Sequence, residues 1–117
     1  MKFYSYNKCG TCRKAKKYLE EKGIAFKEFD ITETAPPKTL LKQAIAAKGL
    51  KKLFNTSGVV YKEMKLKDKV ATMSEKEALE LLSSNGRLVK RPFAVDGDRV
   101  TIGFQVDEYD SVWASGK

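Results

Sequence analysis

The chain has 117 residues, of which 42% are hydrophobic and 32% charged, with a net charge of +8. That length fits one domain with enough apolar content to bury its own core, and no apolar run is long enough to span a membrane. There is no histidine, which excludes Cys–His and Ser–His catalysis and every metal site that needs an imidazole ligand. The only two cysteines cannot close a four-cysteine zinc site within one chain, which leaves only a half-site shared across a dimer.

Met1-Lys2-Phe3-Tyr4-Ser5-Tyr6 alternates like a strand and has no signal-peptide apolar block, so the expected location is the cytoplasm. The loop Asn7-Lys8-Cys9 follows, then a helix from about Thr11 to Lys22, with Ala15, Tyr18 and Leu19 at helical spacing and Gly23 as the stop. Residues 24–31 alternate and predict a second strand, completing a right-handed βαβ unit with parallel strands. Pro36-Pro37 opens a helix from Lys38 to about Lys48, which Gly49 ends. A short helix over 50–54 closes at Asn55-Thr56-Ser57-Gly58, and 59–66 is ambiguous by periodicity. Ser74 and Glu77 form a capping box for a helix over 75–83, terminated by Asn85-Gly86.

The last third changes character. Phe93-Ala94-Val95 and Arg99-Val100-Thr101-Ile102 flank Asp96-Gly97-Asp98, the pattern of an antiparallel hairpin. A final amphipathic stretch is expected to pack Val106, Tyr109 and Trp113. No repeat, low-complexity segment or linker divides the chain, so one domain over 1–117 is expected, with a helical insertion at about 36–84. The order is α/β with a mixed sheet of about four strands, and it resembles a thioredoxin-like core with helices inserted between its halves.

Cys9-Gly10-Thr11-Cys12 falls on the turn from first strand to first helix. A helix start favours a thiolate through its dipole and unpaired N–H groups. Cys9 is the candidate nucleophile and Cys12 the resolving thiol; the alternative is a pair of inert small residues near a helix start. Lys8 and Arg13 are nearby cations that would favour the thiolate, with solvated helix surface the other reading of Arg13. Arg91 could hold an oxyanion in two-point contact or form a surface salt bridge. Asn55 and Thr56 could donate to a ligand or cap the preceding helix. The thioredoxin-like resemblance implies a cis peptide at Pro92, beside the reactive thiol. Lysines interleaved with acids along 14–22 point to a solvated surface, or to attraction toward an anionic substrate or acidic partner. No arginine-rich helix or aromatic stacking pattern indicates nucleic-acid binding.

Three segments carry a closer resemblance: Tyr6-Asn7-Lys8-Cys9-Gly10-Thr11-Cys12-Arg13-Lys14-Ala15, Leu53-Phe54-Asn55-Thr56-Ser57-Gly58 with Tyr61-Lys62-Glu63, and Leu88-Val89-Lys90-Arg91-Pro92. With Gly103-Phe104 in the final strand, they resemble the arsenate reductase (ArsC) and Spx family of thioredoxin-fold proteins, in family order over roughly residues 2–113. The resemblance implies a catalytic Cys9 that attacks arsenate, with glutathione and glutaredoxin releasing arsenite, and it matches the oxyanion-holding arginine to Arg91. Asn55 and Phe104 stand where the family pattern has two further arginines, so arsenate capture is expected to be weak. Cys12 resembles the Spx branch, which senses oxidation and binds the α subunit of RNA polymerase. The expectation is a thiol–disulfide oxidoreductase with no bound cofactor and no metal, monomeric, reduced by glutathione with glutaredoxin or by thioredoxin. The alternative is an Spx-like regulator.

Overall fold

A computed structural model describes residues 1–114. The chain opens with strand β1 (Lys2–Ser5), helix α1 (Gly10–Glu21) and strand β2 (Lys27–Asp30). Helix α2 (Lys38–Lys48), a 3-10 turn (Leu50–Leu53), the short helices α3 (Val59–Glu63) and α4 (Leu66–Val70), helix α5 (Glu75–Ser84) and a second 3-10 turn (Gly86–Leu88) form the insertion. Strands β3 (Phe93–Asp96) and β4 (Arg99–Ile102) follow, then α6 (Val106–Tyr109), which widens into a π-helical turn over Asp110–Ala114.

The sheet order is β2-β1-β3-β4. β1 runs parallel to β2 and antiparallel to β3, and β3 pairs antiparallel with β4. This is the α/β mixed sheet of a thioredoxin-like fold with a helical insertion. Strand alternation sends neighbouring side chains to opposite faces. Phe3 therefore joins a core with Ala15, Leu19, Tyr109 and Trp113, beneath α1 and α6. Tyr4, the next residue, enters a second core with Leu41, Leu53 and Leu82 of the insertion and Val89 just after it. Ala94 and Phe93 divide the same way across β3.

Several boundaries depart from the sequence pattern for identifiable reasons. β2 spans only four residues because Gly23, at φ +69, turns the chain and Ile24 N–H closes back on Leu19 O at 2.9 Å. The ambiguous stretch after Gly58 is helical and breaks in two at Lys65, which sits in the left-handed region at φ +54. In the hairpin, Asp96 pairs with Arg99, leaving the two-residue loop Gly97-Asp98 with Gly97 at φ +60. β4 ends at Ile102, so Gly103-Phe104 lies beyond the strand; Gly103, at φ +81, turns the chain away. Val106 does not pack as expected but is exposed. It opens a single helical turn, and the buried stripe runs instead through Tyr109, Val112 and Trp113. Among the described residues, no helix is long and apolar enough to cross a membrane.

Candidate active site

Cys9 is the N-cap of α1, in extended conformation at φ −97 and ψ 116. Its Sγ accepts the Cys12 N–H at 3.3 Å, taking the place of the oxygen that usually satisfies an open helix end. Cys9 is half-buried and Cys12 is buried. The guanidinium of Arg91 lies over the Tyr6 ring, 4.9 Å from its centroid, and hydrogen-bonds to Cys9. Burial pushes the Cys9 thiol up, but hydrogen bonds from the Cys12 thiol and amide and the hydrogen bond and charge of Arg91 outweigh it. The net effect holds Cys9 below the ordinary thiol value. Cys12 moves the other way, to about 12, through burial and its hydrogen bond to Cys9. The two thiols are thus driven apart in acidity: one is poised to ionise while the other keeps its proton.

Cys9 opens into a cavity of about 470 Å³ built by four stretches of chain. These are the start of α1 with Thr11, the turn bearing Asn55 and Ser57, Lys90-Arg91, and the segment from Ile102 to Gln105. The Arg91–Pro92 peptide is cis. Pro92 O accepts the Gly103 N–H at 2.9 Å, which joins the last two stretches. Asn55 caps no helix; its N–H donates to Leu88 O at 2.8 Å, beside the Phe54–Val89 bridge, and this pins the turn to the chain leading into Pro92. A Cβ at Gly58 would come 2.7 Å from Asn55 Nδ2, so glycine there leaves Asn55 its place in the wall. Tyr109, buried, donates its hydroxyl to Gly103 O at 3.4 Å and sets its ring edge against Phe104, braced from beneath the cavity.

Of the residues singled out in the sequence, Cys9, Arg91 and Asn55 line this cavity, with Pro92 directly behind it. Arg13 and Lys8 do not. Arg13 lines a separate cleft of about 300 Å³ with Cys12, Lys16, Glu28 and Asp30, and Lys8 is exposed and borders neither space. Arg13 N–H donates to Cys9 O at 3.1 Å, one turn on, but the Arg13 side chain lines the cleft on the other side of the helix start and not the Cys9 cavity. The cation that acts on Cys9 is Arg91, brought from the far end of the chain. Gln105 is not among the residues named in the sequence, and Lys90 and Ser57 stand there only as members of the resembling segments, with no site role. Lys90 adjoins Arg91 but has no distinguishing local pattern, and Ser57 and Gln105 reach the wall only through tertiary folding. Among the described residues, no group of three or more cysteines and carboxylates is placed to hold a metal ion.

Comparison with known proteins agrees with this arrangement. The ArsC family model matches residues 4–112. The Bacillus subtilis protein YusI is 54% identical over 114 residues, covering 96% of this chain and 97% of its own length. The global transcriptional regulator Spx of Streptococcus agalactiae is 33% identical, over 86% of this chain and 73% of its own. The crystal structure of an ArsC family related protein from Bacteroides fragilis superposes with a TM-score of 0.87 at 46% identity, covering 94% of this chain and 96% of that one. A match of that extent, on a thioredoxin-like sheet with paired thiols at the first helix start, means that the chain belongs to the ArsC family.

Proposed function

We propose that the protein is a cytoplasmic thiol–disulfide oxidoreductase with Cys9 as nucleophile and Cys12 as resolving thiol. The observation that carries this reading is the placement of the pair: Cys9 caps α1 and accepts the Cys12 N–H at 3.3 Å at the mouth of the cavity that Arg91 lines, while Cys12 is buried behind it. The Cys9 thiolate attacks one sulfur of a substrate disulfide and expels the other as a thiolate, which takes up a proton. The resulting mixed disulfide carries no charge on Cys9 Sγ, so the charge and hydrogen bond that held the Cys12 proton in place are gone. Cys12 then loses its proton and attacks Cys9 Sγ, releasing the second substrate thiolate. Two electrons have passed to the substrate, and the Cys9–Cys12 disulfide awaits reduction by a dithiol or by glutathione, through glutaredoxin or thioredoxin.

Arsenate is a poor fit as the main substrate. Asn55 and Phe104 contribute no charge to the cavity, leaving Lys90 and Arg91 as its cations. Each charge-assisted hydrogen bond missing from an oxyanion forfeits about 1.5–3 kcal/mol. The second reading, a redox-sensing regulator that binds the α subunit of RNA polymerase, is favoured by the likeness to Spx.

Turnover separates the two. Reduction of a small neutral disulfide, coupled to glutaredoxin or thioredoxin, should proceed with the native chain and cease in Cys9→Ser, while Cys12→Ser should accumulate mixed disulfides on Cys9. No turnover with either donor, together with redox-dependent binding to the α subunit of RNA polymerase, would establish the regulator instead.

A further inference from the structure

The Cys9 cavity does not end at Cys9. Lys90, Ile102 and Gln105 border both it and a neighbouring hollow of about 270 Å³, which Lys48 and Lys52 line on the far side. Lys48 and Lys52 in turn border a third, open hollow of about 450 Å³ with Lys51, Leu50, Val70 and Met73. Shared wall residues set the three hollows side by side, from the thiol past Ile102 at the end of β4 to the insertion, and together they are taken as one groove.

Its charge is one-sided. Arg91, Lys90, Lys48, Lys52 and Lys51 line it, against the single carboxylate of Glu108. Glu108 is already paired with Lys48 at 2.7 Å. Lys51, Lys52 and Lys90 make no ion pair among the described residues. The Lys90 side chain passes over Gly103, its Cε 3.5 Å from where a Cβ there would stand. The rest of the surface is not uniformly basic. The cleft beside Arg13 balances Arg13 and Lys16 against Glu28 and Asp30.

We infer that the groove seats an extended acidic polypeptide segment, whose disulfide-bonded cysteine meets Cys9 while its carboxylates lie along Lys90, Lys52 and Lys51. This rests on the oxidoreductase reading and names its substrate class. A polypeptide suits the lining better than a nucleic acid. The groove begins at a thiol, which calls for a sulfur on the partner. Its floor offers aliphatic side chains, Ile102, Leu50, Val70 and Met73, with Phe104 as its one aromatic, where single-stranded nucleic acid needs successive stacking platforms. Apolar floor with cationic edges matches a chain whose acids alternate with hydrophobic residues.

The test uses the full chain and three synthetic peptides, each carrying one cysteine as a mixed disulfide with a chromogenic thiol. Four residues on one side of that cysteine are glutamate, serine or lysine. Release of the chromogenic thiol is followed at low salt. The glutamate peptide is expected to react about tenfold faster than the serine peptide, the sum of several exposed ion pairs. The lysine peptide should be slowest, and the differences should shrink at high salt. The double variant Lys51→Glu/Lys52→Glu, remote from the thiol, should abolish the preference and leave the rate with neutral 2-hydroxyethyl disulfide unchanged. Equal rates for the three peptides, or a preference that survives the double variant, would overturn the inference. So would displacement of the glutamate peptide by a deoxythymidine oligonucleotide at lower concentration than by a cysteine-free glutamate peptide. Binding of that cysteine-free peptide, read by fluorescence anisotropy, keeps the groove testable even if the neutral disulfide is not turned over, a failure that would strike the oxidoreductase reading alone.

Discussion

At Cys9, burial disfavours the thiolate, yet three donors converge on the sulfur and reverse the outcome. Arg91 is the one donor among them that a substitution can remove without touching the thiol pair. In Arg91→Gln the midpoint of Cys9 alkylation by iodoacetamide, followed against pH, should move upward toward the free-thiol value. A midpoint unchanged from the native chain would mean that the helix end alone sets the acidity. The same shift has a sign in stability. Cys9 ionises more readily folded than unfolded, so its contribution is present above the unfolded pKa and is lost as pH falls through the folded value. Cys12 does the reverse: its contribution is present below the unfolded pKa and disappears as pH rises through about 12.

Among the elements, the 3-10 turn Gly86–Leu88 follows directly on α5 and meets the chain at Ile31, just past β2. Asn85 N–H returns to Leu81 O at 3.2 Å and closes α5, and Asn85 Oδ1 accepts the Arg87 N–H at 3.0 Å to start the turn. Gly86 is therefore more than the helix stop that Asn85-Gly86 suggests. A Cβ on it would lie 1.7 Å from Ile31 O, just past the end of β2, so two backbones touch where only hydrogen fits. Gly86→Ala should cost about 3 kcal/mol or more, because a backbone rather than a flexible side chain must move. Urea denaturation would read this directly, and a loss under about 1 kcal/mol would show that the contact relaxes freely. The predicted capping box at α5 is present in its first half: Ser74 Oγ accepts the Glu77 N–H at 3.2 Å.

At the scale of the molecule, the sheet separates two cores that share no side chain. Leu19, in α1, is fully buried in one, and Leu82, in α5, in the other. Leu→Ala at either should cost about 2–5 kcal/mol. Because the two sites lie on opposite faces, the double variant should match the sum of the singles to within about 0.5 kcal/mol. A larger discrepancy in chemical denaturation would mean that the cores communicate through β1, where Phe3 and Tyr4 stand back to back.

Local chemistry alone made much of this protein legible. The thiol pair on a strand-to-helix turn, the βαβ order, the Lys38–Lys48 helix, the Ser74 cap and the Gly97 hairpin each follow from forces acting over a few residues: periodicity, capping and the φ freedom of glycine. Arg91 and Asn55 were visible too, through residues that resemble a family. Only the tertiary structure decided what surrounds the sulfur. It kept the Lys8 and Arg13 side chains out of the Cys9 cavity, brought Arg91 to the sulfur, exposed Val106, and set Lys90 near Lys52 and Lys51 from segments far apart in the chain. Electrostatic fields and packing act through space, so neighbours along the backbone say little about which charges a buried atom meets.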